Sequence, residues 1–125
     1  MKLTLKQLDG TIRKSWGRDT CHFKFLWDNV GTPESVGHCR VVALIVQDYF
    51  GGEIIYSHVK GNRKWDHYWN KLPSGKEVDL AKDQFLKGTK FVKSKVVSRE
   101  EALRSKRTQR GYRILKKRIE KLERK

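Results

Sequence analysis

Proline, methionine and cysteine are scarce: two, one and two residues respectively in a chain of 125. So little proline excludes a proline-rich linker or recognition tract and leaves helices and strands few internal breakers. Two cysteines are too few for a disulfide scaffold. Met1-Lys2-Leu3-Thr4-Leu5-Lys6-Gln7 lacks the uninterrupted apolar core of a secretory signal, so free thiols in a cytoplasmic protein are expected. No apolar run approaches the roughly 20 residues that span a bilayer, and no membrane partner is expected. A glycine-rich phosphate loop is missing as well, because Gly51-Gly52 follows a helical pattern where a P-loop follows a strand. Nothing calls for a cofactor. Acidic residues run short in one region only: residues 1–86 hold 13 Lys/Arg against 10 Asp/Glu, and residues 87–125 hold 16 against 4.

The length suits one domain, residues 1–125, with a modest core. Leu3, Leu5, Leu8, Ile12 and Trp16 give an amphipathic helix over 3–16, and residues 17–36 read as an irregular loop pinned by aromatics. A central helix over 37–50 is apolar nearly all round from Val41 to Val46, which implies burial on several sides, and Gly51-Gly52 ends it in a left-handed cap. The period then changes to two. Strands are expected over Glu53–Val59, Trp65–Leu72, Lys76–Leu80 and Thr89–Val97, with turns at Gly61-Asn62-Arg63 and Pro73-Ser74-Gly75 and one helical turn at Ala81–Phe85. Ser98-Arg99-Glu100-Glu101 forms a capping box, opening a cationic helical segment over 98–125 with the stripe Tyr112, Leu115, Ile119, Leu122. The fold class is therefore α+β: a buried central helix on a mainly antiparallel four-stranded sheet, with helices at both termini.

Three residues carry the chemistry. Cys39 stands at the start of the central helix, His67 on one strand and Asp79 on the next. A helix N-terminus favours thiolate, the attacking species. A three-residue turn at Pro73-Ser74-Gly75 sets Leu72 against Lys76, so paired residue numbers sum to 148 and His67 lies diagonal to Asp79 on one face. Diagonal neighbours are roughly 7–8 Å apart, within reach of an imidazole and a carboxylate. That order assigns nucleophile, base and orienter to Cys39, His67 and Asp79, as a papain-like or transglutaminase-like fold arranges them, for a cysteine hydrolase or acyl transferase. The Cys39 backbone N–H would be one oxyanion donor, with Thr20 or the Trp16–Cys21 loop a candidate second. The competing assignment makes Cys39 a buried core thiol, His67 a packed strand histidine and Asp79 a surface charge. Cys21-His22 and His38-Cys39 nominally offer four zinc ligands, but adjacent ligands on regular structure point apart, and no metal is assigned.

The cationic C-terminal third supports a different class of function. On a helix, Arg110, Arg113, Lys117, Lys121 and Arg124 fall outside the apolar stripe and could engage nucleic acid or an acidic protein surface, for example as an inhibitor of a nucleic-acid machine. The alternative is a solvated face that aids solubility.

Asp19-Thr20, Gly37-His38-Cys39, Ala43 to Ile54, and His67-Tyr68-Trp69-Asn70 with Gly75, Asp79-Leu80 and Gln84-Phe85 at matching intervals together resemble the YunG family of small bacterial proteins. Arg110-Gly111-Tyr112-Arg113-Ile114-Leu115 resembles that family's C-terminal pattern, so the likeness runs from about Ile12 to Arg118. The resemblance implies that Cys39, His67 and Asp79 sit in the family's most characteristic motifs. It brings no established activity with it. Ala81 stands where the pattern has threonine after Asp-Leu, which removes any hydroxyl role there.

Overall fold

A computed structural model describes residues 3–20, 38–60, 62–82 and 90–124. Helix α1 spans Leu5–Ser15; Thr4 caps it by accepting from Gln7 N while Gln7 Oε1 accepts from Thr4 N. A 3-10 turn, Arg18–Thr20, follows. Helix α2 (Cys39–Phe50) leads into strands β1 (Glu53–Val59), β2 (Asn62–Lys71), β3 (Glu77–Val78) and β4 (Phe91–Val97), then helices α3 (Arg99–Ala102) and α4 (Lys106–Glu123). The sheet is antiparallel in the order β3-β2-β1-β4. The expected α+β class, with a buried central helix on a four-stranded sheet and helices at both ends, is what the chain forms.

Every residue from Val41 to Val46 is buried, because α2 lies between two apolar groups. On one side α1 and α4 contribute Leu8, Ile12, Trp16, Leu115 and Ile119. On the other, Ala43 and Leu44 pack against Ile54, Tyr68 and Val97 of the sheet and Ala102 of α3. The helix end departs from a left-handed cap in one detail: Gly51 combines φ 73° with ψ −154°, a backbone region that only glycine occupies cheaply. At Gly52, φ is 82° and a Cβ would lie 2.2 Å from the Lys71 carbonyl oxygen, so β2 can pass there only over glycine.

Several boundaries differ from expectation. Asn62 and Arg63 belong to β2 rather than a turn, since Val59 already pairs with Asn62. Strand β3 is two residues long, not five, and β4 begins at Phe91. The Ala81–Phe85 turn is described only to Lys82, and from Cys21 the expected loop lies outside the described residues. The segment 98–125 is two helices rather than one. Ser98 caps α3 by accepting from Glu101 N at 3.0 Å without a return bond from Glu101, and Ser105 then caps α4 by accepting from Thr108 N at 3.2 Å. A second serine cap three residues after α3 restarts the helix in a new direction.

Helix α4 is fastened by charge as well as by its apolar stripe. Asp48 of α2 binds Arg99 at 2.7 Å and Lys116 at 2.6 Å, and Tyr112 donates to it at 2.5 Å. The buried stripe is Thr108, Gly111, Leu115 and Ile119; Leu122, expected inside, is 37% exposed at the fraying end.

Candidate active site

Cys39 is the first residue of α2 and is partly exposed. Its position follows from the burial of Val41–Val46, which fixes the rotation of the helix and so the direction of its first turn. His67 sits on β2, where alternation splits the His-Tyr-Trp-Asn segment between two faces. Tyr68 and Asn70 turn towards α2: Tyr68 joins the cluster beneath it, and Asn70 Nδ2 donates to the Ala43 carbonyl at 2.9 Å. His67 and Trp69 take the other face, where the His67 ring stacks on Trp69 at 5.5 Å and on Phe91 of β4 at 4.9 Å.

Asp79 reaches His67 because the hairpin register is the one the turn dictates. Leu72 N donates to Lys76 O at 2.8 Å, and the ladder continues Lys71↔Glu77 and Asn70↔Val78. Pairing stops there, so Asp79 is free of the ladder and β2 is an edge strand beside His67. Arg13 of α1 anchors the chain just past Asp79 by donating to Leu80 O at 2.8 Å. The Asp79 carboxylate then meets His67 Nε2 at 2.5 Å.

Cys39 lies near enough to the His67 ring to influence its charge. The structure thus sets Asp79 directly against His67, with Cys39 in the neighbourhood of the same ring. The His67 side chain is fully buried, and burial alone would push His67 below the ordinary 6.5. The hydrogen bond to Asp79, with the influence of the nearby Cys39, outweighs burial and raises His67 to about 9. His67 is therefore an imidazolium at neutral pH. Asp79 Oδ1 is buried without a hydrogen-bond partner. An open cleft of about 340 Å³, walled by Trp69, Glu77, Val78, Lys82 and Phe91, opens beside Asp79.

Thr20 does not supply the expected oxyanion donor through its hydroxyl. Thr20 Oγ1 donates to Gly17 O and accepts from Gly17 N, both at 2.9 Å, and contacts His38 Nε2 at 2.7 Å. Cys21 and His22, the other half of the nominal zinc set, lie outside the described residues, and among the described residues no group of three metal-binding side chains converges. The five outward cations fall as the helical spacing places them: Arg110, Arg113, Lys117, Lys121 and Arg124 are all exposed on α4. No described helix is long and apolar enough to cross a membrane. Sequence reasoning missed Asn70 and His38 as polar anchors of α2; an asparagine in an otherwise apolar strand position, and a histidine before the helix, were the available signals.

A family model described as YunG protein matches residues 4–123. The uncharacterised protein YunG of Bacillus subtilis (strain 168) is 36% identical over 76 residues. That stretch is 59% of this chain and 56% of the relative, so the match spans little more than half of the relative's length. No solved structure matches the chain.

Proposed function

The chain belongs to the YunG family, and from the site described above we propose that it is a cysteine hydrolase or acyl transferase of papain-like design. Cys39 is the nucleophile, His67 the acid–base group and Asp79 its orienter. One observation carries the reading: a buried imidazole is held on Nε2 by the Asp79 carboxylate, and the helix-start thiol of Cys39 lies near the same ring.

In this mechanism the Cys39 sulfur, as thiolate partner of the imidazolium, attacks an acyl carbon. The leaving amine or alcohol takes the proton from His67, and a thioester remains on Cys39. Water or an acceptor amine then gives a proton to neutral His67 as it attacks the thioester. The acyl product departs, the sulfur leaves with the bonding electron pair, and the ion pair is restored. Asp79 keeps the ring oriented and offsets its charge in both steps. The Cys39 backbone N–H at the start of α2 is one donor to the oxyanion.

Reaction with iodoacetamide at pH 6 tests this. Cys39 should alkylate roughly 100-fold faster than Cys21, because thiolate fraction sets the rate, and His67→Ala should remove the difference. Equal, slow labelling of both thiols would make Cys39 a core residue.

A second reading rests on the outer face of α4, where all five cations are exposed and, among the described residues, none is ion-paired. As a polyanion-binding surface it should bind duplex DNA with an affinity falling with salt at a slope near −0.9 per phosphate neutralised. Replacing Arg113, Lys117 and Lys121 by Glu should abolish that binding with the fold intact. Binding indifferent to salt and to the triple reversal would leave the face a solubility feature.

A further inference from the structure

Three parts of the family pattern take no part in the Cys39–His67–Asp79 arrangement: Asp19-Thr20, His38 and Gly111. They meet in one place beneath the nucleophile. His38 is the N-cap residue of α2 and completely buried, yet its side chain makes no capping bond to the helix. Such positions usually carry Ser, Thr, Asp or Asn, whose side chains satisfy the free helix N–H groups. His38 instead points away from the helix to Thr20 Oγ1 at 2.7 Å, with its ring tilted against Trp16 at 5.0 Å. Thr20 Oγ1 can give its proton to Gly17 O, and His38 Nε2 can then donate to the hydroxyl.

Helix α4 holds this assembly from behind. At Gly111 a Cβ would stand 3.0 Å from the Thr20 carbonyl oxygen, so the helix backbone rests directly on the 3-10 turn. Two turns further along the same helix, Arg118 donates through Nη1 to Ser15 O at 3.1 Å and to Asp19 Oδ1 at 2.9 Å, and through Nη2 to Asp19 Oδ2. The 3-10 turn is thereby clamped to α4 on one side and to His38 on the other.

We propose that Thr20 and His38 are positioning residues for the thiol: their hydrogen bond, backed by α4, fixes the first turn of α2 so that Cys39 stays near His67. This rests on the reading of Cys39 as nucleophile. The adjacent residue in the chain is the shortest lever available on the sulfur, and a completely buried polar lever has one setting. The Asp19-Thr20, His38 and Arg110-Gly111 motifs then serve one end, although they lie far apart in sequence.

The test combines thiol reactivity with the protonation pattern of His38. Thr20→Val removes the acceptor at nearly constant volume and should slow Cys39 alkylation at pH 7 at least ~10-fold, as expected for a lost bond worth about a factor of ten. Thr20→Ser and His38→Gln, which keep an acceptor and an Nε2-like donor, should stay within ~3-fold of wild type. Gly111→Ala, which touches neither His38 nor Cys39, should also slow alkylation while the protein stays folded. A merely structural pair would lower the melting temperature of Thr20→Val and leave the pH profile of alkylation in place; that result overturns the proposal. Should Thr20→Val fail to fold, Gly111→Ala against wild type decides the same question. Nitrogen chemical shifts of His38 separate this from failure of the nucleophile reading. If His67→Ala labels like wild type, the nucleophile reading falls. A His38 nitrogen shift that changes in Thr20→Val still supports the bond, and one that stays unchanged overturns it.

Discussion

The site around His67 and the outer face of α4 are both rich in ionisable groups, and the protein treats them in opposite ways. At His67 the imidazole is removed from water and given a specific partner, the Asp79 carboxylate at 2.5 Å, with the Trp69 and Phe91 rings stacked nearby. On α4 the five outward cations stay in water. The same helix also shows the first treatment on its inner side, where Lys116 binds Asp48 and Arg118 binds Asp19. Pairing is thus assigned by position rather than by region: cations that face the body of the protein hold it together, and cations that face out are left available. Buried pairs fix geometry at the expense of desolvation, whereas exposed charges cost little and contribute little to stability.

The largest expected consequence of that contrast is a pH dependence that belongs to the site alone. The folded His67 holds its proton up to about 9, against 6.5 for free imidazole. Its contribution to stability is therefore complete below pH 6.5 and is lost as pH rises through about 9, a total of about 3 kcal/mol. Urea titrations at pH 7 and pH 10 should show the loss in wild type, and a His67→Asn variant should show a much flatter profile. An equal slope in the two proteins would place the pH dependence elsewhere.

Breaking one partner gives the next effect in size. Asp79→Asn keeps the shape of the side chain but removes the charge facing His67, and should cost about 2 kcal/mol at pH 7, less than the full titration because the influence of Cys39 remains. Chemical denaturation measures it directly. The smallest effect is expected from the other region: Lys117→Glu on the exposed face should move stability by less than about 0.5 kcal/mol in either direction. A Lys117→Glu cost comparable to that of Asp79→Asn would mean the outward cations are structural after all.

The hairpin was legible because its turn residues leave little choice. Pro73-Ser74-Gly75, with Gly75 at φ 90°, fixes one register, and from that register the approach of His67 to Asp79 follows. Burial of Val41–Val46 was equally plain from their unbroken apolar run. The length of β3 was not, because the residues after Val78 keep an alternating pattern although Arg13 draws the chain away at Leu80. The restart of the C-terminal helix at Ser105 was hidden for a different reason: a lone serine in a charged stretch reads as a surface residue until its neighbour Leu103 is seen to close the preceding turn. Thr20 shows the limit of reading roles from residue type. A hydroxyl near a nucleophile suggests an oxyanion donor, but only the three contacts on its oxygen reveal that it is already committed.

The clamp on the 3-10 turn also places the site in time. Asp19 and Arg118 are 99 residues apart in sequence, so the ground beneath His38 closes only when both ends of the chain have met. His67 and Asp79 are 12 residues apart and come from one hairpin, so their approach needs mainly local contacts. A chain emerging from synthesis would then carry the His67–Asp79 pair before Cys39 is seated. The thiol would be brought to bear last, after the helix that seats it has been made.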